Sequence, residues 1–445
     1  MPSVSVVIPV RNSAEFLRTC LDRLARSTTP PLEILVVDDA STDDSAQVAE
    51  TAGARVLHTE KQSGPAAARN LAAGEARGDV LLFIDADVLA QPDTIEHVHD
   101  AFESDPELDA LIGSYDDSPS SEDFLSQYKN LMHHFVHQQA SGEACTFWSG
   151  CGAIRRETFL EHGGFDESYG RPAVEDIELG YRLFQAKRKM VLDRGLQVKH
   201  LKRWTFWDLL RTDIVHRGIP WTELILRDRR MPNDLNLQLS QRVSVALAFV
   251  LCGLALAGAI YWQGYFLTPL FALLFLVLGR YWGEAVSQRG SKAAIVWTSA
   301  VVAAIVASAA AYHMFGLIPP VLLGYILLIV HHRYEFEDER RRRYMSALSA
   351  FLLGFVVLLT FVYLPNNRLT FAVLIVAVAM MLLNTQFYLF LAARKSRWFA
   401  VAAIPFHLLY HFYSGISFLT GMTRYLFNAP TRARARAAAA RAGHE

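Results

Sequence analysis

An excess of either charge is missing from this chain: 43 basic and 44 acidic residues leave a formal net charge of −1 over 445 residues. That balance excludes a strongly basic nucleic-acid binder, and no nucleic-acid partner is expected. Cysteine is scarce as well. Cys20, Cys145, Cys151 and Cys252 have no short paired spacing, so neither a disulfide framework nor a thiolate zinc site is indicated, and a reducing cytosol suits them. Charged residues make up only 20% against 52% hydrophobic, and mean hydropathy is +0.19. Those values exclude a disordered chain, a collagen-like repeat and a wholly soluble protein of ordinary composition. The first ten residues lack a basic segment followed by a long apolar core, so no cleaved signal is expected.

What is present divides into two parts with different solvents. Up to about residue 235, short apolar runs at 4–10, 34–37, 55–58 and 80–84 alternate with helix-like stretches at 14–26, 44–51 and 65–76. This βαβαβ rhythm predicts a Rossmann-like α/β domain with a mainly parallel sheet covered on both faces. Ligands of such sheets bind beyond the carboxyl ends of the strands.

From residue 243 the chain carries long apolar stretches at 243–261, 265–278, 293–311, 315–330, 345–364, 369–393 and 398–421. A bilayer core takes about 20 apolar residues per helix, so a polytopic helical membrane domain over 236–430 is predicted. With the N-terminal domain in the cytosol, the inside loops hold Arg227, Arg229, Arg230, Arg242, Arg280, Arg289, Lys292, Arg333, the run 340–343, Arg394, Lys395 and Arg397. The outside loops hold Arg368 alone, which is the asymmetry that orients membrane proteins. A seventh crossing would export Arg424, Arg432, Arg434, Arg436 and Arg441, and the last stretch contains Pro405, His407, His411 and Gly415. Six spanning helices followed by a re-entrant or interfacial segment are therefore expected, with a mobile basic tail over 431–445. The expected location is the inner, plasma membrane, with the catalytic domain on its cytoplasmic side.

The strand 80–84 is apolar throughout and ends in Asp85, Ala86 and Asp87. Side chains two apart on an extended chain point the same way, so both carboxylates converge and suit a hard divalent cation that also binds diphosphate oxygens. A lone D-x-D also arises from turn-forming aspartates. Its company here is Asp38 and Asp39 after the second strand, and Pro9, Arg11 and Asn12 at the end of the first.

Together VSVVIPVRN (4–12), VVDDASTDDS (36–45), GPAAARN (64–70) and GDVLLFIDADV (78–88) resemble the family 2 inverting glycosyltransferases of GT-A fold, in their membrane-integrated form. The resemblance implies that Pro9, Arg11, Asn12, Asp38 and Asp39 hold the nucleotide of a nucleotide-sugar, with Arg69 near it. It also implies that Asp85 and Asp87 bind Mg²⁺ or Mn²⁺ and the diphosphate. Arg11 stands where many members have Glu. The segment FWSGCGAIRRETFLEHGGFDES (147–168) resembles the acceptor side, where Trp148 offers a flat face and Gly150 allows close backbone approach. Cys151 has no His–Asp partnership and is expected to be a packing residue.

AVEDIELGYRLF (173–184) resembles the family's E-D motif, with Glu175 on the acceptor side and Asp176 as catalytic base. The i, i+3, i+4, i+7 spacing places Asp176 in the buried stripe of Leu179, Gly180 and Leu183, and Glu178 opposite. His200 to Trp204 resembles the Q/R-x-x-R-W signature of membrane-integrated synthases, which gives Arg203 to the diphosphate and Trp204 to the acceptor. The stretch 204–217 also reads as an interfacial amphipathic helix.

The reading that results is metal-dependent, inverting transfer from a nucleotide-sugar, a UDP-sugar by resemblance, to a membrane lipid or lipid-linked acceptor such as a polyprenyl phosphate. A processive polysaccharide synthase is the nearest alternative. A transporter or channel that senses a nucleotide-sugar is another, kept open by His313, Asn384, His407 and His411. A sugar nucleotidyltransferase would need a Gly-rich phosphate loop near the first strand, which this chain does not have.

Overall fold

A computed structural model describes residues 2–261 and 368–427, with isolated helical positions at 299, 302, 303, 307 and 322. Of the predicted membrane stretches, those at 265–278 and 345–364 and most of 293–311 and 315–330 lie outside the described residues, as does the tail 431–445. The chain separates into two compact units, Met1–Gln241 with Tyr413–Glu445, and Arg242–Phe412.

The first unit is built on strands β1 (Val4–Val10), β2 (Glu33–Asp38), β3 (Arg55–His58), β4 (Val80–Ile84), β5 (Val88–Leu89), β6 (Leu108–Tyr115), β7 (Cys151–Arg155) and β8 (Lys189–His200). Their order in the sheet is β3-β2-β1-β4-β7-β6-β8-β5. The pairs among β3, β2, β1 and β4 are parallel, β7 runs antiparallel between β4 and β6, and β6 pairs parallel with β8. The sheet is thus Rossmann-like in its first half and mixed beyond β4.

Two-residue periodicity decides which face each side chain meets. Val4, Val6, Ile8 and Val10 of β1 pack with Leu17, Cys20, Leu21 and Leu24 of helix α1 (Ala14–Leu24). Val7, with Leu81 and Phe83 of β4, packs on the other face against Ala66, Ala68, Ala72 and Ala73 of α3 (Pro65–Glu75). The all-alanine face of α3 lets that helix lie close to the sheet. Helices α2 (Ser45–Thr51), α4 (Thr94–Ser104), α5 (Phe124–Gln139), α6 (Arg156–Glu161) and α7 (Glu175–Gln185) complete the layers. Both faces of the central strands are buried, which is why their sequence is continuously apolar.

After β8 the chain forms α8 (Phe206–Arg211), a π-helical segment at Thr212–Gly218, and α9 (Ile219–Asp228). Phe206 and Leu209 are buried, whereas Trp207 and Val215 are exposed. The predicted single amphipathic helix over 204–217 therefore changes hydrogen-bonding pattern at Thr212.

The apolar helices are α10 (Leu239–Tyr261), α11 (Arg368–Leu383), α12 (Thr385–Arg394) and α13 (Arg397–Phe427). Among the described residues, Leu239–Ala257 and Arg397–Phe427 are each long and apolar enough to cross a membrane. Two of the apolar stretches have shapes that their composition does not reveal. The stretch at 369–393 is broken at Asn384, where Ile375–Leu383 and Thr385–Arg394 meet at 61°. At the break the Asn384 side chain donates to the Met380 carbonyl and to Ser244 Oγ at 2.9 Å each. The last stretch is instead one continuous helix of 31 residues that carries Pro405 inside it.

Candidate active site

The carboxyl ends of β1, β2 and β4 open onto a cleft of about 570 Å³ in the first unit. Pro9, Arg11, Asp39, Arg69, Asp85, Asp87, Trp148, Gly150, Glu175, Asp176 and Trp204 all line it. The fold therefore brings together most of the residues singled out from the sequence.

At its centre Arg69, on α3 and buried, links two acidic groups. Its Nη2 donates to Asp85 Oδ1 at 2.6 Å and its Nη1 to Glu175 Oε1 at 3.2 Å. Burial disfavours the guanidinium charge, but Asp85 and Glu175 outweigh it and hold Arg69 protonated. Burial raises the Asp85 carboxyl, with Asp87 adding to the effect and Arg69 opposing it. Asp87 goes the other way: burial is outweighed by the hydrogen bond and charge of His200 and by the charge of Lys202. His200 Nε2 lies 3.4 Å from Asp87 Oδ2, and its Nδ1 is 3.0 Å from Asn130 Oδ1, so the imidazole fixes Asp87.

No group of three or more His, Cys, Asp or Glu forms a metal site among the described residues. Asp85 and Asp87 fit a hard divalent cation that takes its remaining oxygens from a diphosphate and water, and Asp85 is hydrogen-bonded through one oxygen only among the described residues.

Asp176 and Glu175 begin α7. Burial and the neighbouring Asp176 raise the Glu175 carboxyl, whereas Arg69 lowers it. Asp176 Oδ2 accepts from Ser149 N at 3.1 Å and Ser149 Oγ at 3.2 Å, which holds its carboxylate against the 147–150 loop. Within that loop a Cβ on Gly150 would meet the Trp148 ring at 2.6 Å, so glycine is what lets the indole fold back over the backbone. Tyr115 meets Trp148 edge-on at 4.8 Å and stacks on His200 at 4.4 Å. Burial pushes the Cys151 thiol up to about 12, which agrees with a packing residue and not a nucleophile.

The helical-face assignment of α7 is corrected. Glu178 is buried and Asp176 is the half-buried one that faces the cleft. Glu178 can be buried because Arg182 at 2.8 Å and Arg227 at 3.0 Å neutralise it, a pairing that hydrophobic spacing does not reveal.

Three other residues fall outside the cleft lining. Arg203 is 70% exposed in its side chain and lies 3.6 Å from Asp123, so it does not face the cleft. Lys202 faces it instead, over the Trp204 ring at 4.2 Å. Asn12 accepts from Thr42 N at 2.7 Å and Asp38 from Ser41 N at 3.3 Å; both shape the loops behind the cleft. Asp39, in contrast, lines the cleft while accepting from Ser63 N and Gly64 N at the start of α3.

Sequence reasoning missed Tyr115, Asn130, Lys202, Arg217 and the role of His200 in holding Asp87. The available signal was parity: His200, Lys202 and Trp204 alternate along an extended segment and all line the cleft.

Residues 5–164 match the model of Glycosyl transferase family 2. Glycosyltransferase GlyG of Streptococcus pneumoniae is 31% identical over 117 residues, covering 25% of this chain and 38% of that protein. Validoxylamine A glucosyltransferase of Streptomyces hygroscopicus is 29% identical over 239 residues, covering 45% and 52%. The chain thus spans about half the length of these relatives or less. A solved structure of the mannosyltransferase PcManGT from Pyrobaculum calidifontis, in complex with GDP-Man and Mn²⁺, aligns with a TM-score of 0.45 at 18% identity over 76% of this chain and 88% of that one. Residues 5–164, whose strand-end side chains gather at this one cleft, are thus a glycosyl transferase family 2 segment by the family match.

Proposed function

We propose that this chain transfers a sugar from a nucleotide-sugar to an acceptor carried in the membrane, with inversion at the anomeric carbon. The observation that carries the reading is the sharing of one cleft by Asp85 and Asp87, at the end of β4, and Asp176, at the start of α7. Asp39 and Pro9 mark the nucleotide end and Trp148 and Asp176 the acceptor end.

In this reading Asp85 and Asp87 would hold Mg²⁺ or Mn²⁺, which would supply positive charge against the donor's diphosphate. Arg69 keeps Asp85 aimed into the cleft, and His200 does the same for Asp87. Asp176 touches the acceptor oxygen: for a hydroxyl it takes the proton, and for an ionised phosphate it only positions the nucleophile. Attack from the Asp176 side, opposite the leaving diphosphate, inverts the anomeric centre. The apolar helices α10 and α13 and the exposed Trp207 support a membrane-borne acceptor; the cytoplasmic side for the catalytic unit rests on the distribution of basic residues along the sequence alone.

The test is to incubate the full chain with a panel of UDP- and GDP-sugars and a membrane lipid extract, and to identify the glycosylated product by mass. A labelled lipid is the expected result. Consumption of no nucleotide-sugar with any acceptor would overturn the reading.

A further inference from the structure

Past β8 the helical path widens over Thr212–Gly218, where the Ile219 N–H donates to the carbonyl of Ile214, five residues back instead of four. Pro220 supplies the reason. It has no N–H to give, and in a regular α-helix its ring would press on the carbonyl of His216, four residues earlier. The wider turn relieves that contact. It also changes which side chains share a face, and Thr212, His216 and Arg217 all line the cleft.

Among the described residues no carboxylate pairs with Arg217, so the backbone that carries this half-buried side chain sets its place. Its charge reaches far into the cleft. There it opposes the upward shift of the Tyr115 hydroxyl and adds to the downward shift of the Lys202 ammonium. A guanidinium so placed faces the negative charge that a nucleotide-sugar brings.

Two contacts fix the turn from behind. Asp213 accepts from Lys129 Nζ at 2.8 Å through Oδ1 and at 2.7 Å through Oδ2, and Oδ2 also accepts from the Tyr413 hydroxyl at 2.6 Å. All three side chains are buried. The second contact is steric: a Cβ on Gly218 would meet Ser417 Cβ at 2.6 Å and Ser417 Oγ at 2.8 Å, so the end of the turn lies against α13. The two tethers differ in stiffness. Lys129 holds Asp213 by a flexible four-carbon stem that can follow the carboxylate, whereas Tyr413 is a rigid ring on the helix that also abuts Gly218. From Tyr413 onward α13 belongs to the first unit, although the helix as a whole is long and apolar enough to cross a membrane.

We infer that Tyr413 is a positioning residue for the transfer reaction: through its hydrogen bond to Asp213 it holds the π-helical turn so that Arg217 faces the cleft. The inference rests on the glycosyl-transfer reading above. The phenol touches no substrate and acts through Asp213 and the turn, 200 residues away in sequence. Its leverage is geometric, because a misplacement of about 1 Å can cost about 10²-fold in rate even when its origin is remote from the chemistry. The end of an apolar helix is thereby a working part of the active site.

The test measures kcat/KM for the full chain in phosphatidylcholine vesicles, with the donor consumed fastest in the panel and the membrane lipid extract, well below every melting midpoint. Wild type, Tyr413→Phe, Arg217→Ala and the double variant form a cycle. Tyr413→Phe should lower kcat/KM by about 10- to 100-fold, and Arg217→Ala by at least as much. The double variant should match Arg217→Ala within about twofold, because once the guanidinium is gone its placement no longer matters. The melting shift of Tyr413→Phe should, in contrast, be the same in both backgrounds. Ser417→Leu overfills the contact with Gly218 while leaving the Tyr413 hydroxyl in place, and it should reproduce both the loss and its dependence on Arg217.

Unchanged kcat/KM in Tyr413→Phe would overturn the inference. So would losses that multiply in the double variant, the pattern of a role in stability alone. A loss in Tyr413→Phe beside full activity in Arg217→Ala would overturn it as well, since the turn would then serve some other group. Consumption of no donor by the wild-type chain is the separate failure of the glycosyl-transfer reading, and it removes the reaction that Tyr413 serves.

Discussion

The Asp176 carboxylate accepts two hydrogen bonds from Ser149 through one oxygen, and asparagine in its place retains one acceptor oxygen and nearly the same shape. What Asp176→Asn removes is the ability to take a proton. For a hydroxyl nucleophile that loss lowers turnover by about 10² to 10⁴. With a phosphate nucleophile we expect a loss of about tenfold or less, measured as kcat on the phosphate acceptor, because only positioning is disturbed. A loss in the larger range would make Asp176 a general base and the acceptor a hydroxyl. The neighbouring carboxylates bear on a different quantity. Excess chelator, or Asp87→Asn, should abolish donor turnover, since two converging carboxylates without a cation repel a diphosphate; full activity under either condition would remove the metal from the mechanism. At this scale the sequence was legible wherever a strand end places residues at i and i+2, as at Asp85 and Asp87. At 200–204 the same alternation decides which residues meet the cleft. The cleft is met by alternate residues, so His200, Lys202 and Trp204 face it, whereas Arg203, one step out of phase, meets Asp123 at 3.6 Å.

Among elements, the wall that carries Arg217 depends on contacts remote in sequence. Asp213, in the π-helical turn, accepts from Lys129 of α5 at 2.8 and 2.7 Å and from Tyr413 of α13 at 2.6 Å. All three side chains are buried. Removing one member of such a pair leaves a buried charge uncompensated, at about 3–5 kcal/mol. Asp213→Ala should therefore lower the thermal midpoint strongly, and Tyr413→Phe should cost about 1.5–3 kcal/mol, the range for a hydrogen bond to a charged group. If Asp213→Ala melts like wild type in detergent, the triad does not hold these elements together. Two turns further along α13, a Cβ on Gly421 would meet Thr222 Cβ at 2.7 Å and the Ile219 carbonyl at 2.8 Å, so α9 and α13 touch almost backbone to backbone. None of this could be read in advance. The periodicity of residues 204–217 suggested a regular amphipathic helix, and a Lys in α5 reads as a solvated charge until its partner is known. The bend at Asn384 escaped for a related reason: an apolar run of sufficient length looks continuous, while the residue at the bend, whose side chain donates to the Met380 carbonyl at 2.9 Å, is a single polar letter.

On the scale of the molecule, the sheet and its cleft were legible because strand alternation, turn residues and strand-end carboxylates all report local physics. The path of the last apolar stretch was less so. Its Pro405, His407 and His411 suggested a re-entrant or interfacial segment; residues 397–427 form one helix, in which those polar residues are accommodated without a break. Its end nevertheless belongs to the first unit, with the catalytic domain. Tyr413 bonds Asp213, Gly421 meets Thr222, and Arg424 lies 3.9 Å from Glu223. If the catalytic domain is cytosolic, these contacts hold the helix end on the cytosolic side, and the five arginines between Arg424 and Arg441 need not cross the bilayer. A cysteine placed at Ala438, in a chain whose Cys252 is serine, should then resist an impermeant maleimide in intact cells and react once the cells are permeabilised. Efficient labelling in intact cells would place the tail outside. It would also require the Tyr413–Asp213 bond and the Gly421–Thr222 contact to be absent in the membrane, so the Tyr413→Phe melting shift would vanish with it. The two measurements therefore constrain each other. A protected tail together with a destabilised Tyr413→Phe variant is the outcome expected of a helix whose end is fastened to the wall of the active-site cleft.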